Sequence, residues 1–217
     1  MMDTDALRLL SLSLTSSNDV TGYSYEMEDS FALSDLKTCS SPRKVNLCPS
    51  VCNEDILKID TDRPLTIVRY DDWMLDESQK KCDYLLFDSG NDKQKFAFCE
   101  LTCSQKKYVD EDDSTIKKEG KRAKAFNQMQ ETWSLIKESD NPVFQTYILR
   151  FREKCGIFGW REKTLSGDNE VNDGPKLSMR KFLRTPGSGS GITEYSQHEF
   201  GEHFKFIQVK YPSHYIW

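Results

Sequence analysis

The sequence predicts an α+β or α/β fold, with a central mixed sheet and a helix packed on one face. Three observations carry this. Two apolar runs, 82–88 (CDYLLFD) and 95–102 (KFAFCELT), flank the polar turn SGNDKQ, the signature of a hairpin with a loop of about six residues. An amphipathic helix follows over 119–139. Strand-like runs then return, ending in HFKFIQVKY near the C-terminus.

Taken in order, the Leu-rich run 6–12 reads as a short helix or a frayed end. Residues 15–50, rich in Ser, Asn, Asp and Thr, read as loops around short elements. Residues 51–59 (VCNEDILKI) make two helical turns, and 65–75 (LTIVRYDDWML) a strand, a turn and an apolar return. After the hairpin, 103–118 is an exposed, mobile connector carrying the acidic cluster Asp110, Glu111, Asp112 and Asp113. In 119–139, Phe126, Met129, Trp133 and Ile136 follow the 3,4,3 spacing of one helical face, and Asn141-Pro142 ends the helix. Residues 143–152 (VFQTYILRFR) read as a strand, 155–163 as its turn and continuation, and 164–195 as glycine-rich loop with one short element near 177–183. Alternation over 204–211 predicts a last strand. No internal repeat is visible. The chain divides into an acidic N-terminal segment, 1–64, packed on a core domain, 65–217, that carries a Gly-rich loop at 185–193.

Composition narrows the function classes. Hydrophobic residues make up 37 % and charged residues 30 %, and twelve Phe, nine Tyr and four Trp suffice for a core where a disordered chain would have few aromatics. The net charge of −5 argues against a histone-like basic coat. Residues 1–80 hold 8 Lys/Arg against 15 Asp/Glu, and residues 81–217 hold 22 against 20. The acidic excess therefore lies in the first third, which leaves room for a local basic groove elsewhere. No stretch approaches the roughly 20 apolar residues of a membrane span, and the N-terminus lacks the positive region of a secretory signal. We read the protein as soluble and cytoplasmic. The seven cysteines include no CxxC pair, so they read as reduced structural thiols. Cys48 and Cys52 have a spacing that would need further ligands to hold a metal.

The hairpin carries the chemistry. If it is symmetric about the Asn91–Asp92 bond, Asp83 faces Glu100, Leu85 faces Phe98 and Phe87 faces Phe96. With side chains alternating at period two, these six share one face, which sets two acids side by side at the rim of an apolar patch. Like charges directly across strands are destabilising. A divalent cation gives them a reason: Mg²⁺ takes carboxylate oxygens, keeps several waters, and is anchored by one or two side chains. The plain alternative is that both acids are strand-end residues leaving the core.

This arrangement resembles the PD-(D/E)XK nuclease superfamily, the restriction-endonuclease-like fold, over roughly residues 65–152. The resemblance is carried by Asp83 at a strand start, a second strand ending in Glu100-Leu101-Thr102, and a following helix with Lys124, Gln128 and Thr132 at i, i+4, i+8. It implies that Asp83 and Glu100 bind Mg²⁺ (or Mn²⁺), that a lysine supports the attacking water, and that a polar helix residue, here Gln128, assists. The chain departs from the pattern at Thr102, which stands where the lysine belongs and supplies no positive charge. Lys124 is the first replacement candidate, one turn from Gln128 on the same helix face. Lys106 and Lys107 are alternatives, and Glu54 is the candidate further acid.

Other signals are weaker. His198 and His203 in HEFGEH do not match HExxH. TPGSGSGIT lacks a phosphate-loop lysine and reads as a linker. Phe158, Trp160, Arg161 and Lys163, and Phe182 with Arg180, Lys181 and Arg184, mix aromatics with bases in a way that suits base stacking and phosphate binding, or a half-buried strand with solvated neighbours. Two functions follow. One is a Mg²⁺-dependent nuclease acting on DNA or RNA, with bacterial defence as its setting. The other is the same fold without catalysis, a binding or regulatory subunit whose acidic surface suits a protein partner.

Overall fold

The structure is a computed structural model that describes residues 4–14, 16, 18–34, 42–44, 55–74, 81–89, 92–104, 108–109, 120–162, 191–201 and 204–217. In chain order the elements are α1 (Thr4–Ser13), a 3₁₀ turn (Val20–Tyr23), β1 (Ser24–Met27), β2 (Phe31–Leu33), β3 (Arg43–Lys44), β4 (Leu57–Asp60), β5 (Leu65–Arg69) and α2 (Tyr70–Trp73). They continue with β6 (Tyr84–Asp88), β7 (Lys95–Ser104), α3 (Lys121–Lys137), α4 (Val143–Leu149), β8 (Glu153–Glu162), β9 (Ile192–Phe200), β10 (Phe204–Lys210) and β11 (His214–Ile216). This is a mixed α+β architecture.

A seven-stranded mixed sheet runs in the order β1-β5-β6-β7-β8-β10-β9. Strands β5, β6 and β7 form an antiparallel meander. The chain then crosses through α3 and α4 and returns as β8, parallel to β7. Strand β10 lies parallel to β8, and β9 closes that edge antiparallel. A second sheet, β11-β4-β2-β3, covers one face of the first. The first 64 residues thus contribute strands to both sheets.

The central strands are buried on both faces, which is why they read as continuous apolar runs. On one face Phe87, Phe96 and Phe98 pack with Met129, Trp133 and Ile136 of α3 and Phe144 and Ile148 of α4. On the other, Leu86, Ala97 and Ile157 meet Phe31, Leu57 and Ile59 of the second sheet. Strand β8 is thinned at both faces. A Cβ on Gly156 would stand 2.5 Å from Met129 Sδ, and one on Gly159 would stand 2.6 Å from Leu101 Cδ2 and 3.0 Å from Leu57 Cβ. Where β9 turns into β10, Gly201 has φ +58 and a Cβ there would run into the Trp133 indole, a position only glycine occupies without strain.

The hairpin, α1, the helix over 121–137 and a strand over 204–210 match the sequence reading, but that strand is followed by one more, β11, which the reading lacks. Several expectations are corrected. Residues 143–149 are helix α4, not strand. Phe144, Tyr147 and Ile148 give a buried helical stripe, and the Phe144 amide is capped by Ser13 Oγ at 3.0 Å from the end of α1, a partner 131 residues away. Residues 57–60 are strand β4, with Leu57 and Ile59 buried between half-buried Lys58 and Asp60; residues 51–54 lie outside the described residues. The apolar return after β5 is the single helical turn α2. The end of the stretch read as loop, 192–195, belongs to β9 (Ile192–Phe200). The connector is shorter than expected, since β7 continues to Ser104. The acidic cluster 110–113 and the loop through 177–183 lie outside the described residues. Among the described residues no helix is long and apolar enough to cross a membrane.

Candidate functional site

The register of β6 on β7 pairs Tyr84 with Cys99, Leu85 with Phe98 and Phe87 with Phe96. The paired register ends at Tyr84 and Cys99, and Asp83 and Glu100 are the next residues along: Asp83 in the bend before β6, Glu100 within β7 on the face of Phe96 and Phe98. Asp83 directly precedes β6. Its Oδ2 accepts the Leu101 amide across the ladder at 2.6 Å, and its carbonyl accepts the Tyr70 amide at 2.8 Å. Both acids are half-buried, and Glu100 Oε2 is shielded from solvent.

Two neighbouring thiols register both carboxylates. Burial pushes the Cys82 thiol well up, and the charge of Glu100 and then of Asp83 pushes it further, against the hydroxyl of Thr132. The Cys99 thiol is raised by burial first, with Asp83 and Glu100 adding. Both thiols are therefore held protonated, and the oxygen donors of the site are the carboxylates.

Helix α3 ties itself to the strand entry. Thr132 Oγ1 accepts the Cys82 amide at 2.9 Å, and the Gln128 amide donates to the Lys81 carbonyl at 3.0 Å. Gln128 and Thr132 thus fix the two residues before Asp83. Lys124 is exposed one turn earlier on the same stripe. Thr102 is half-buried on the Glu100 face, opposite Trp160 of β8. The sequence reading passed over Lys81, a buried lysine two residues before Asp83 whose Nζ donates to the Met74 carbonyl. Its signal was present in the triplet Lys81-Cys82-Asp83. Glu54, Lys106, Lys107, Lys163, Phe182, His203 and the side chain of His198 lie outside the described residues.

Phe158 and Trp160 are core residues rather than an exposed stacking platform, with Trp160 Nε1 donating to the Ser104 carbonyl at 3.0 Å. Parallel registry draws two rows across the sheet on the acid-bearing face. Glu100, Phe158 and Gln208 form one, and Thr102, Trp160 and Lys210 form the next.

Among the described residues no group of three or more His, Cys, Asp or Glu is placed to hold a metal ion. The donor set present is two carboxylates on adjacent strands. That fits Mg²⁺, which is held by one or two carboxylates and otherwise keeps its waters. Comparison of the chain with protein-family models, with curated proteins and with solved structures gives no match.

Proposed function

We propose that the chain is a metal-dependent phosphodiesterase acting on DNA or RNA, with a PD-(D/E)XK-like core and a setting in bacterial defence. The observation that supports this reading is that Asp83 and Glu100 are the next residues beyond the Tyr84–Cys99 pair, with the Asp83 carboxylate reaching the Leu101 amide across the ladder. The order of elements around it supports the same reading: a three-stranded antiparallel meander, a helical crossover and a parallel fourth strand.

In this reading Asp83 and Glu100 hold Mg²⁺ or Mn²⁺. When bound, such an ion supplies Lewis-acid polarisation of the phosphoryl group and a water of lowered pKa. The chain's own part is positioning. The Leu101 amide fixes the Asp83 carboxylate, and Gln128 and Thr132 fix the backbone leading into it. Lys124 supplies the positive charge that Thr102 lacks, beside the developing negative charge at phosphorus.

The test is cleavage of labelled DNA and RNA with Mg²⁺ or Mn²⁺, with chelator as control. Wild type cleaves. Asp83→Ala and Glu100→Ala lose at least about a hundredfold, roughly 2.7 kcal/mol of transition-state stabilisation. Equal rates in all three proteins end the proposal. Thr102 favours a second reading, a catalytically inactive nuclease-fold binding or regulatory subunit. That reading predicts no cleavage by wild type under any metal.

A further inference from the structure

A second polar cluster lies on the side of the large sheet that faces the second sheet, away from Glu100. Trp160 packs on the α3 side, so alternation turns its neighbour Arg161 the opposite way. There Arg161 Nη1 donates to the carbonyl of Asp55, just before β4, at 2.9 Å. Tyr211 follows β10 directly, its amide donating to the Trp160 carbonyl at 2.8 Å. The Arg161 guanidinium lies 4.4 Å from the centroid of the Tyr211 ring, and Lys58 Nζ of β4 lies 5.3 Å from the same centroid. Two half-buried positive charges thus share one ring. Neither takes part in an ion pair among the described residues, whereas Lys210, Lys95 and Arg69 are matched by Glu162, Glu153 and Asp72. Asp60, two residues beyond Lys58, is bonded to His214 Nδ1 at 2.8 Å instead.

We propose that Arg161 and Lys58 bind the phosphate group of a phosphomonoester, at a site separate from the Asp83–Glu100 pair. Like charges brought together repel, and an anion held between them turns that repulsion into attraction. Charge sets the ligand class. A phosphomonoester carries about −1.5 to −2 at pH 7, which two cations match, whereas a phosphodiester carries a single charge. Arg161 supplies the directional contacts. With Nη1 on the Asp55 carbonyl, its remaining donors form the planar fork that takes two phosphate oxygens. The ring and that carbonyl hold the guanidinium in place, so little rotamer freedom is lost on binding. The Lys58 ammonium is a point charge on a flexible stem and closes onto the same group. A free small phosphate ester and the phosphorylated end of a nucleic acid share this chemistry. The site stands whether or not the acid pair binds metal, because it lies on the other side of the sheet from Glu100.

The test is calorimetric titration with inorganic phosphate and with a nucleoside 5′-monophosphate, beside fluorescence anisotropy of one oligonucleotide carrying either a 5′-phosphate or a 5′-hydroxyl. All are run in chelator, which silences the acid pair. Wild type is expected to bind phosphate-bearing probes, and Lys58→Gln and Arg161→Gln each weaken that binding by about tenfold or more, the loss of one charge-assisted contact. Circular dichroism confirms the fold of Arg161→Gln, which gives up its anchor on Asp55, and Lys58→Gln removes no such anchor. Lys137→Gln, an identical charge change at the end of α3, and Asp83→Asn both leave affinity unchanged. Binding of the monophosphate without preference for the phosphorylated oligonucleotide assigns the site to a small phosphate ester. A preference for the 5′-phosphate over the 5′-hydroxyl oligonucleotide assigns it to a nucleic-acid end. Absence of binding by wild type, equal affinity in Lys58→Gln and wild type, or binding of the oligonucleotide alone and equally with either end overturns the proposal.

Discussion

The Asp83 carboxylate is fastened to the neighbouring strand: its Oδ2 accepts the Leu101 amide at 2.6 Å. The same group that serves as a candidate metal ligand also closes a backbone donor at the hairpin's open end. A ligand fixed in this way loses little freedom on binding an ion, and it cannot be removed without a structural consequence.

The two roles separate by substitution. Asp83→Asn keeps an acceptor oxygen for Leu101 and removes the anionic ligand. It is expected to unfold within about 1 kcal/mol of wild type while losing cleavage. Asp83→Ala leaves the amide without its acceptor and costs about 1–3 kcal/mol. Urea unfolding of both variants, beside the cleavage assay, checks this. Equal stability of the two variants removes the structural half of the argument.

Thr132 is fully buried, accepts the Cys82 amide and donates to the Gln128 carbonyl. Thr132→Val keeps the shape and strands the amide, at a cost of about 1–3 kcal/mol. Because this bond holds the entry to β6, cleavage falls with it. Chemical denaturation with activity measured under folding conditions reads both effects.

Strand β8 is predicted to reject a methyl group at Gly156. The new Cβ would lie 2.5 Å from Met129 Sδ and 2.8 Å from Phe200 Cε1. The thioether can move, but the ring is packed, so Gly156→Ala costs about 1–3 kcal/mol by overpacking. A thermal melt that matches wild type contradicts the close approach of α3 and β9 on this strand.

How much of this was legible beforehand varies by element. The hairpin register, Leu85 on Phe98 and Phe87 on Phe96, followed from the symmetry of two apolar runs about a polar turn. Helix α3 followed from the spacing of Met129, Trp133 and Ile136. Helix α4 did not, because a seven-residue helix is marginal on its own. What sustains it is tertiary: burial of Phe144, Tyr147 and Ile148 in the core and a cap from Ser13, distant in sequence. Strand β4 was misread because Leu57 and Ile59 offer only two periods, too few to distinguish strand from helix. The row joining Thr102, Trp160 and Lys210 depends on parallel pairing across a crossover, which no local pattern encodes.

The buried thiols set an alkaline limit on stability. Burial pushes the Cys155 thiol up from its ordinary value of 9.0 to about 11, with the Tyr215 hydroxyl opposing. Below about pH 9 the thiol is protonated in folded and unfolded chains alike, and its contribution is fully present. Between 9 and 11 the unfolded chain gives up this proton while the folded chain keeps it. Stability therefore falls as pH rises, by roughly 2–3 kcal/mol from this group. Cys82 and Cys99, also raised, act in the same direction. Unfolding free energies across pH 8 to 11 measure the slope, and Cys155→Ala makes it shallower. In peptide mapping after thiol labelling of the native protein, exposed Cys103 is modified while Cys82, Cys99 and Cys155 are protected until unfolding. Early labelling of Cys155 contradicts the assignment.

The central claim is that Asp83 and Glu100 together hold a divalent ion, and calorimetric titration with Mn²⁺ tests it most directly. Wild type is predicted to bind about one ion per chain through this pair, with the heat abolished in both Asp83→Asn and Glu100→Gln. Titration curves that are superimposable across the three proteins contradict the claim.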